Sequence, residues 1–338
     1  MSRNATQGTL FLPDGRRLLA DAGERFLTLL VDDQSLLEVA RDGDVWQVPH
    51  DLAAPQLEFA LWALAYWSFA SDPDCQRLSL RLSAEHPSAA ALLQKGLLNG
   101  APDSGEVQIE RAAFWQLAEP WLKAPSAGGY PQLPRMSNGR RHPLRAPKPK
   151  GEVYRRFDAR LGSWISLRTL DIDNDLQHFH RWQNHPRVLA FWQEDGSLEQ
   201  HREYLQKLAA DPHSLTLIGC FDEQPFAYYE AYWAKEDRIA PFYEAHDYDR
   251  GIHMLVGEDS HRGPHKVQSW LNALVHYLLL DDPRTQRIVA EPRADNARMI
   301  SYLQSHGFWK EKVFDFPHKR AALMVQSREM FFEQCPLC

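Results

Sequence analysis

The sequence predicts a mixed α/β (α+β) chain, with a mostly antiparallel sheet flanked by helices, and three observations carry that expectation. Over residues 251–308 an alternating apolar run, a glycine-bearing loop, a long helical pattern, a short apolar run ending on a carboxylate, and a glycine-closed helix follow one another. Just before it, two apolar runs over 214–220 and 226–233 are joined by the polar turn Asp222-Glu223-Gln224-Pro225. Finally, part of the same skeleton recurs in the first 123 residues.

In chain order, residues 8–48 alternate apolar runs with turns such as Pro13-Asp14-Gly15, the pattern of an antiparallel meander. Residues 55–69 turn helical, opening on Pro55 where a missing N–H is no loss. A strand over 77–82, a short helix ending near Leu93 with Gly96 beyond it, and a helix over 111–122 complete this part. Residues 123–151 shift sharply to Pro, Gly, Ser and basic residues, including Arg140-Arg141-His142 and Lys148-Pro149-Lys150, the composition of a solvated linker.

Beyond the linker come a strand over 163–168 and an acid-capped helix over 171–182. Asn184-His185-Pro186-Arg187-Val188 breaks the chain, and a helix over 198–208 leads into the hairpin already described. Gly251-Ile252-His253-Met254-Leu255-Val256 reads as a strand, followed by the loop Ser260-His261-Arg262-Gly263-Pro264-His265. The next helix places Val267, Trp270, Leu271, Leu274 and Leu278 at three- and four-residue steps. A strand over 287–290 ends on Glu291-Pro292, and a last helix is capped by Asp295 or Asn296 and closed by Gly307.

The repeat is faint. Asp72-Pro73 followed by Gln76-Arg77-Leu78 matches Asp282-Pro283 followed by Gln286-Arg287-Ile288, and Leu64 and Trp67 match Leu274 and Tyr277. Gly96-Leu97 stands where Gly307-Phe308 does, with one residue of slip. Arg81 occupies the place of Glu291, and nothing like Arg262-Gly263 precedes the first long helix. The first half therefore keeps the skeleton without the acid or the loop, unless two α/β segments are alike by chance. These breaks give a smaller N-terminal domain over 1–123, a linker over 124–150, a larger domain over 151–332 and a tail over 333–338.

The net charge of −7 argues against a nucleic-acid partner, which usually meets a basic face. No apolar run is long enough to span a bilayer, and Met1-Ser2-Arg3-Asn4-Ala5-Thr6-Gln7 lacks the apolar core of a secretory signal, so the expected compartment is the cytoplasm, with no membrane partner. Four scattered cysteines are no disulfide framework. Cys335-Pro336-Leu337-Cys338 has the spacing of half a zinc site or a redox pair, but no second pair accompanies it, and it reads as incidental thiols. The histidines show no metal-ligand spacing, so no metal is expected.

The order of elements over 150–332 resembles the GNAT superfamily of acyl-CoA-dependent N-acyltransferases, most specifically in the helix from Asn296 to Gly307-Phe308. Tyr232-Trp233-Ala234-Lys235-Glu236-Asp237, Asp247-Tyr248-Asp249-Arg250-Gly251-Ile252-His253 and Phe316-Pro317-His318-Lys319-Arg320 look like the acyltransferases of hydroxamate siderophore assembly, the aerobactin-type N6-hydroxylysine acetyltransferases above all and, more distantly, the mycobactin lysine acyltransferases. The resemblance implies a GNAT fold over 150–332, and the internal repeat then makes the first half a degenerate GNAT-like domain preceding it. It also implies acetyl-CoA or another short acyl-CoA as co-substrate, a small-molecule hydroxylamine or amine as acceptor, and contact with a siderophore synthetase or hydroxylase.

Amide formation from a thioester needs a neutral amine, a proton acceptor and donors for the oxyanion. His253 and Glu291 are the candidates for the proton work, on different strands but each near the end facing the loop. They match the His of the Gly-x-His strand and the Asp before Pro implicated in the mycobactin enzymes, with a glutamate in place of the aspartate. An N-hydroxyamine is less basic than an alkylamine, so more of it is neutral near pH 7 and less help is required.

For the cofactor, Arg262, Gly263, His265, Lys266 and Val267 stand where GNAT chains bind the pyrophosphate at a helix N-terminus. His265 sits at the usual first glycine and Pro264 offers no N–H. Leu255 and Val256 on the preceding strand and Asn296 would line the pantetheine arm. Leu303 falls where many GNATs carry a tyrosine acid, with Tyr302 one place off. For the substrate, Glu230 could hold an ammonium, His318, Lys319 or Arg320 a carboxylate, and Tyr232 and Trp233 line the same strand as Glu230. Acylation of an unhydroxylated lysine, polyamine or aminoglycoside, or acyl-CoA binding without turnover, are the other readings.

Overall fold

The structure is a computed structural model that describes residues 9–83, 86–100, 105–137 and 139–337. Residues 1–7 and the last thiol, Cys338, lie outside the described residues. The chain divides into two compact units, one from Met1–Pro120, Phe157–Gly162 and Leu337–Cys338, the other from Trp121–Arg156 and Ser163–Pro336.

In the first unit, β1 (Leu10–Phe11), β2 (Arg17–Ala22), β3 (Phe26–Val31), β4 (Gln34–Asp42) and β5 (Val45–Gln47) form an antiparallel meander. Asp32 and Asp33 both take positive φ, 49° and 65°, which closes the β3–β4 hairpin in a twist that suits the strands. The long helix α1 (Ala54–Ser71) then crosses to β6 (Arg77–Arg81), which pairs with β5 in parallel. After α2 (Ala89–Gln94), β7 (Glu106–Glu110) closes the seven-stranded sheet.

The helix expected over 111–122 is one turn only, α3 (Arg111–Phe114). The amides of Gln116 and Leu117 reach back to Ala113 and Phe114, tightening the turn to three residues, and Leu122 departs to bridge Tyr154.

The second unit carries the hairpin β8 (Pro134–Ser137) and β9 (Arg140–Pro143), most of β10 (Glu152–Asp158), and β11 (Ser163–Thr169). Helices α4 (Ile172–Gln183), α5 (Pro186–Trp192) and α6 (Leu198–Ala210) follow, then β12 (Ser214–Phe221), β13 (Gln224–Trp233) and β14 (Arg250–Val256). The rest is α7 (Pro264–Asp281), β15 (Arg287–Ala290), α8 (Ala297–Ser305), β16 (Trp309–Asp315), β17 (Arg320–Ser327) and α9 (Arg328–Gln334). The sheet order is β10-β11-β12-β13-β14-β15-β17-β16. Segment 124–150, read as a linker, thus carries structure of its own, and its Arg145 lies 2.6 and 2.7 Å from the Glu236 carboxylate.

Two sheet features position the site. Alternation along β13 sends Tyr229 to one face, where its ring centroid lies 5.7 Å from that of Trp270 on α7, while Tyr228, packed on Phe179 of α4, takes the other face. More important, β14 and β15 pair only at Arg250↔Ile288 and Gly251↔Val289. Beyond them β14 runs on through Ile252 to Val256, so the sheet opens into a wedge along one edge of β14.

The two units share a local build. Helices α1 and α7 are both 18 residues long, and each ends on an aspartate, Asp72 or Asp282, whose Oδ1 accepts from the amide two residues on, at 2.9 and 3.0 Å. In both, the glutamine carbonyl preceding the next strand accepts from an arginine amide, Arg111 to Gln76 at 2.9 Å and Arg328 to Gln286 at 2.8 Å. No helix among the described residues is long and apolar enough to cross a membrane.

Candidate active site

His253 lies at the mouth of the wedge, directly opposite Glu230 in the β13–β14 register. Its Nδ1 is 2.8 Å from Glu230 Oε2 and its Nε2 is 2.7 Å from Glu291 Oε1. The two carboxylates are held in turn. Tyr204 and Tyr228 donate to Glu230 Oε1 at 2.7 and 2.9 Å, and Tyr232 donates to Glu291 Oε2 at 2.6 Å. Tyr232 reaches that acid by lying across Gly251, where a Cβ would sit 2.0 Å from the ring, so only glycine admits it. Both glutamates are buried, and the His253 side chain keeps 22% exposure.

Burial opposes charge on His253, but the Glu291 charge and the hydrogen bonds the ring donates to both glutamates outweigh it and raise the ring from its ordinary 6.5 to about 10. Burial likewise opposes charge on Glu291, and the His253 charge and hydrogen bond, with Lys319 nearby, bring it down to about 2. Glu230 is also lowered, against its burial, by the hydrogen bond and charge of His253. Near neutral pH the three groups are an imidazolium between two carboxylates, net −1.

Two cavities lie side by side here, and the cluster lines the second of them. One, of about 350 Å³, is lined by Leu255, Val256, Arg262, Gly263, Val267 and Asn296, among others. The other, of about 400 Å³, is lined by Glu230, His253, Glu291, His318 and Lys319. Phe191, Trp192, Met254, Asn296 and Met299 line both, so the two spaces adjoin.

At the head of the first cavity, Gly263 takes φ 121° and caps α7. Its carbonyl already accepts from the amides of Lys266 and Val267, at 3.1 and 3.0 Å. The Lys266 ammonium rests 4.2 Å over the Phe221 ring, and neither His265 nor Lys266 lines the cavity. Cations the sequence reading passed over stand there instead: Arg187, whose guanidinium bonds the carbonyls of Val256 and Gly257 at 3.0 and 3.2 Å, and Arg298 beside Tyr302. Arg187 had been legible only as part of a chain break. Asn296 caps α8 through Oδ1, bonded by the Met299 amide at 3.1 Å, and Leu303 is buried while Tyr302 lines the cavity.

Among the substrate candidates, Tyr232 is buried behind Glu291 and Trp233 faces away. The Trp233 ring is clasped between Arg145 and Arg250, at 4.0 and 4.1 Å, beside a separate cavity, because one residue of alternation turns it to the other face. Tyr204, Tyr228 and Arg238 were not anticipated. Tyr204 offered no signal on helix α6 beyond its helical spacing.

Among the described residues, His142, His213 and Glu236 bring ligand-type atoms within 4.8 Å of one another. Arg145 holds both Glu236 oxygens, so the cluster is balanced by that guanidinium.

Residues 171–316 match the family model described as an acetyltransferase (GNAT) domain. The N(6)-hydroxylysine O-acetyltransferase of Escherichia coli is 46% identical over 239 residues, covering 69% of this chain and 75% of its own. A hydroxyornithine transacylase of Ajellomyces capsulatus is 35% identical and covers 98% of this chain and 86% of its own. A crystal structure of an uncharacterized protein from Bacillus halodurans superposes with a TM-score of 0.53 at 29% identity, over 55% of this chain and 95% of that one.

Proposed function

The chain belongs to the GNAT acyltransferases, in the branch that holds the hydroxylysine and hydroxyornithine enzymes, and from that membership we propose that it acylates the nitrogen of an N-hydroxylated amine such as N6-hydroxylysine. The acyl donor is acetyl-CoA or another short acyl-CoA, and the product is a hydroxamate of the kind siderophores use. The observation that carries the reading is His253 bonded to both Glu230 and Glu291 in the second cavity, one residue from the Met254 that lines both cavities.

The acyl-CoA lies along the first cavity, its phosphates toward Arg262, Arg187 and the start of α7, with the arm beside Leu255, Val256 and Asn296. The thioester then reaches the Met254–Met299 junction. The acceptor occupies the second cavity. Its nitrogen lone pair attacks the thioester carbon, the C–S bond breaks, and the thiolate leaves with the electron pair. Backbone along Ile252–Val256, unpaired on the β15 side, offers amides to the oxyanion. The N–H proton passes to the Glu230–His253–Glu291 unit. Attack places positive charge on the nitrogen and makes its proton strongly acidic, so carboxylates held low by His253 can still accept it, and His253 ties them together. The name of the Escherichia coli relative puts the acetyl group on oxygen and that of the Ajellomyces relative names no atom; a hydroxamate requires attack by nitrogen, and ferric colour separates the two.

Thiol release and ferric-hydroxamate colour from acetyl-CoA with N6-hydroxylysine or lysine test the reading. We expect both signals with N6-hydroxylysine and little release with lysine. Equal release with lysine, or thiol release without ferric colour, overturns it.

A further inference from the structure

The second cavity has a deep end and a rim. At the deep end sit the two glutamates and His253, and at the rim are four side chains able to carry positive charge: Arg238, Arg293, His318 and Lys319. Three of the four are already engaged. Lys319 Nζ donates to the Glu291 carbonyl at 2.8 Å, Arg293 pairs with Asp295 at 2.7 Å, and the His318 ring stacks on Phe316 with centroids 5.3 Å apart.

Arg238 differs. Among the described residues no hydrogen bond or ion pair engages its guanidinium, which only rests 5.7 Å from the Phe316 ring. Its backbone, by contrast, is fixed: the next amide, Ile239, bonds Asp237 Oδ1 at 2.9 Å, and Arg140 bonds the carbonyls of both Glu236 and Asp237.

Across the rim, Glu194 is arranged the same way. It follows the left-handed Gln193 that ends α5, and its carbonyl accepts from His201 Nε2 at 2.9 Å, while among the described residues its carboxylate has no hydrogen-bond or ion-pair partner. Burial and the nearby Glu230 charge raise its pKa, and the Arg238 charge lowers it, so the two side chains share one electrostatic neighbourhood. A fixed backbone with an unspent charged head is what a site for a charged ligand requires.

Resting on the hydroxamate-forming reading, we propose that Arg238 and Glu194 are the specificity residues for the acceptor, binding the α-carboxylate and α-ammonium of a free ω-hydroxylamino α-amino acid. A hydroxylated diamine of the same length presents a lone ammonium to Arg238 and has nothing to pair with it. The cavity therefore selects the amino acid over the diamine.

The test compares N6-hydroxylysine with N-hydroxycadaverine, which differ only in the carboxylate, in the wild type and in Arg238→Gln. Hydroxamate formation gives kcat/KM, and quenching of the cavity-lining Trp192 gives binding independently of turnover. We expect the wild type to prefer N6-hydroxylysine and the preference ratio to fall about tenfold to hundredfold in Arg238→Gln, mainly through KM, as for loss of a hydrogen-bonded charge. Glu194→Gln should weaken both acceptors, because both carry the ammonium. A wild-type preference for the diamine, or equal losses on the two acceptors in Arg238→Gln, overturns the assignment. Binding that discriminates as expected without any ferric-hydroxamate colour supports the anchor and removes the reaction proposed above.

Discussion

At the scale of residues, the central feature is an imidazole with a carboxylate on each nitrogen. One partner acid, Glu291, was legible in the sequence as a carboxylate before proline at a strand end. The other, Glu230, was legible only as a residue on a strand face, because its place opposite His253 is a matter of β13–β14 register, which the sequence does not print. The arrangement has a pH signature. His253 titrates higher folded than unfolded, so its stabilisation is complete below its ordinary 6.5 and is lost as pH rises toward about 10. Glu291 has the opposite sign, its stabilisation being present above 4.5 and lost as pH falls toward about 2. Thermal midpoints between pH 7 and 10 should therefore decline more steeply in the wild type than in His253→Asn. Parallel slopes would mean that the ring is neutral when folded.

At the scale of elements, the site depends on two adjoining strands that stop pairing. Glycine at 251 lets Tyr232 cross β14 and bond Glu291, and the same strand then diverges from β15 to open the wedge beside His253. Gly251→Ala puts a methyl group 2.0 Å from the buried Tyr232 ring, so the ring or the strand must shift. We expect a loss of about 1–3 kcal/mol in denaturant unfolding, as for an overpacked core, and a fall in kcat larger than the change in acetyl-CoA affinity. Unaltered stability would show that the ring moves aside freely. The glycine was legible as part of a Gly-x-His pattern, but its reason was not, since the crossing ring comes from another strand.

At the scale of the whole molecule, the strand–helix–strand order of the second unit could be read from periodicity, and segment 124–150 could not. Its Pro and basic residues have a linker's composition, yet Arg145 is buried against Glu236 and Trp233, contacts that depend on residues 91 and 88 positions away. The repeat between the halves was legible because Asp-Pro and Gln-Arg sit at the same spacing after each long helix, and the matching aspartate caps and arginine-to-glutamine bonds fit it. We take the first unit as a degenerate GNAT-like half on that basis. It has Arg81 where the second has Glu291, so the acid bonded to His253 Nε2 belongs to one half alone. That acid is the account's hinge. Single-turnover hydroxamate formation by Glu291→Gln, with enzyme saturated in acetyl-CoA, tests it most directly. We expect the rate to drop about a hundredfold or more while acetyl-CoA affinity holds, in the range for a lost acid–base group. A rate within threefold of the wild type would show that the amine gives up its proton elsewhere.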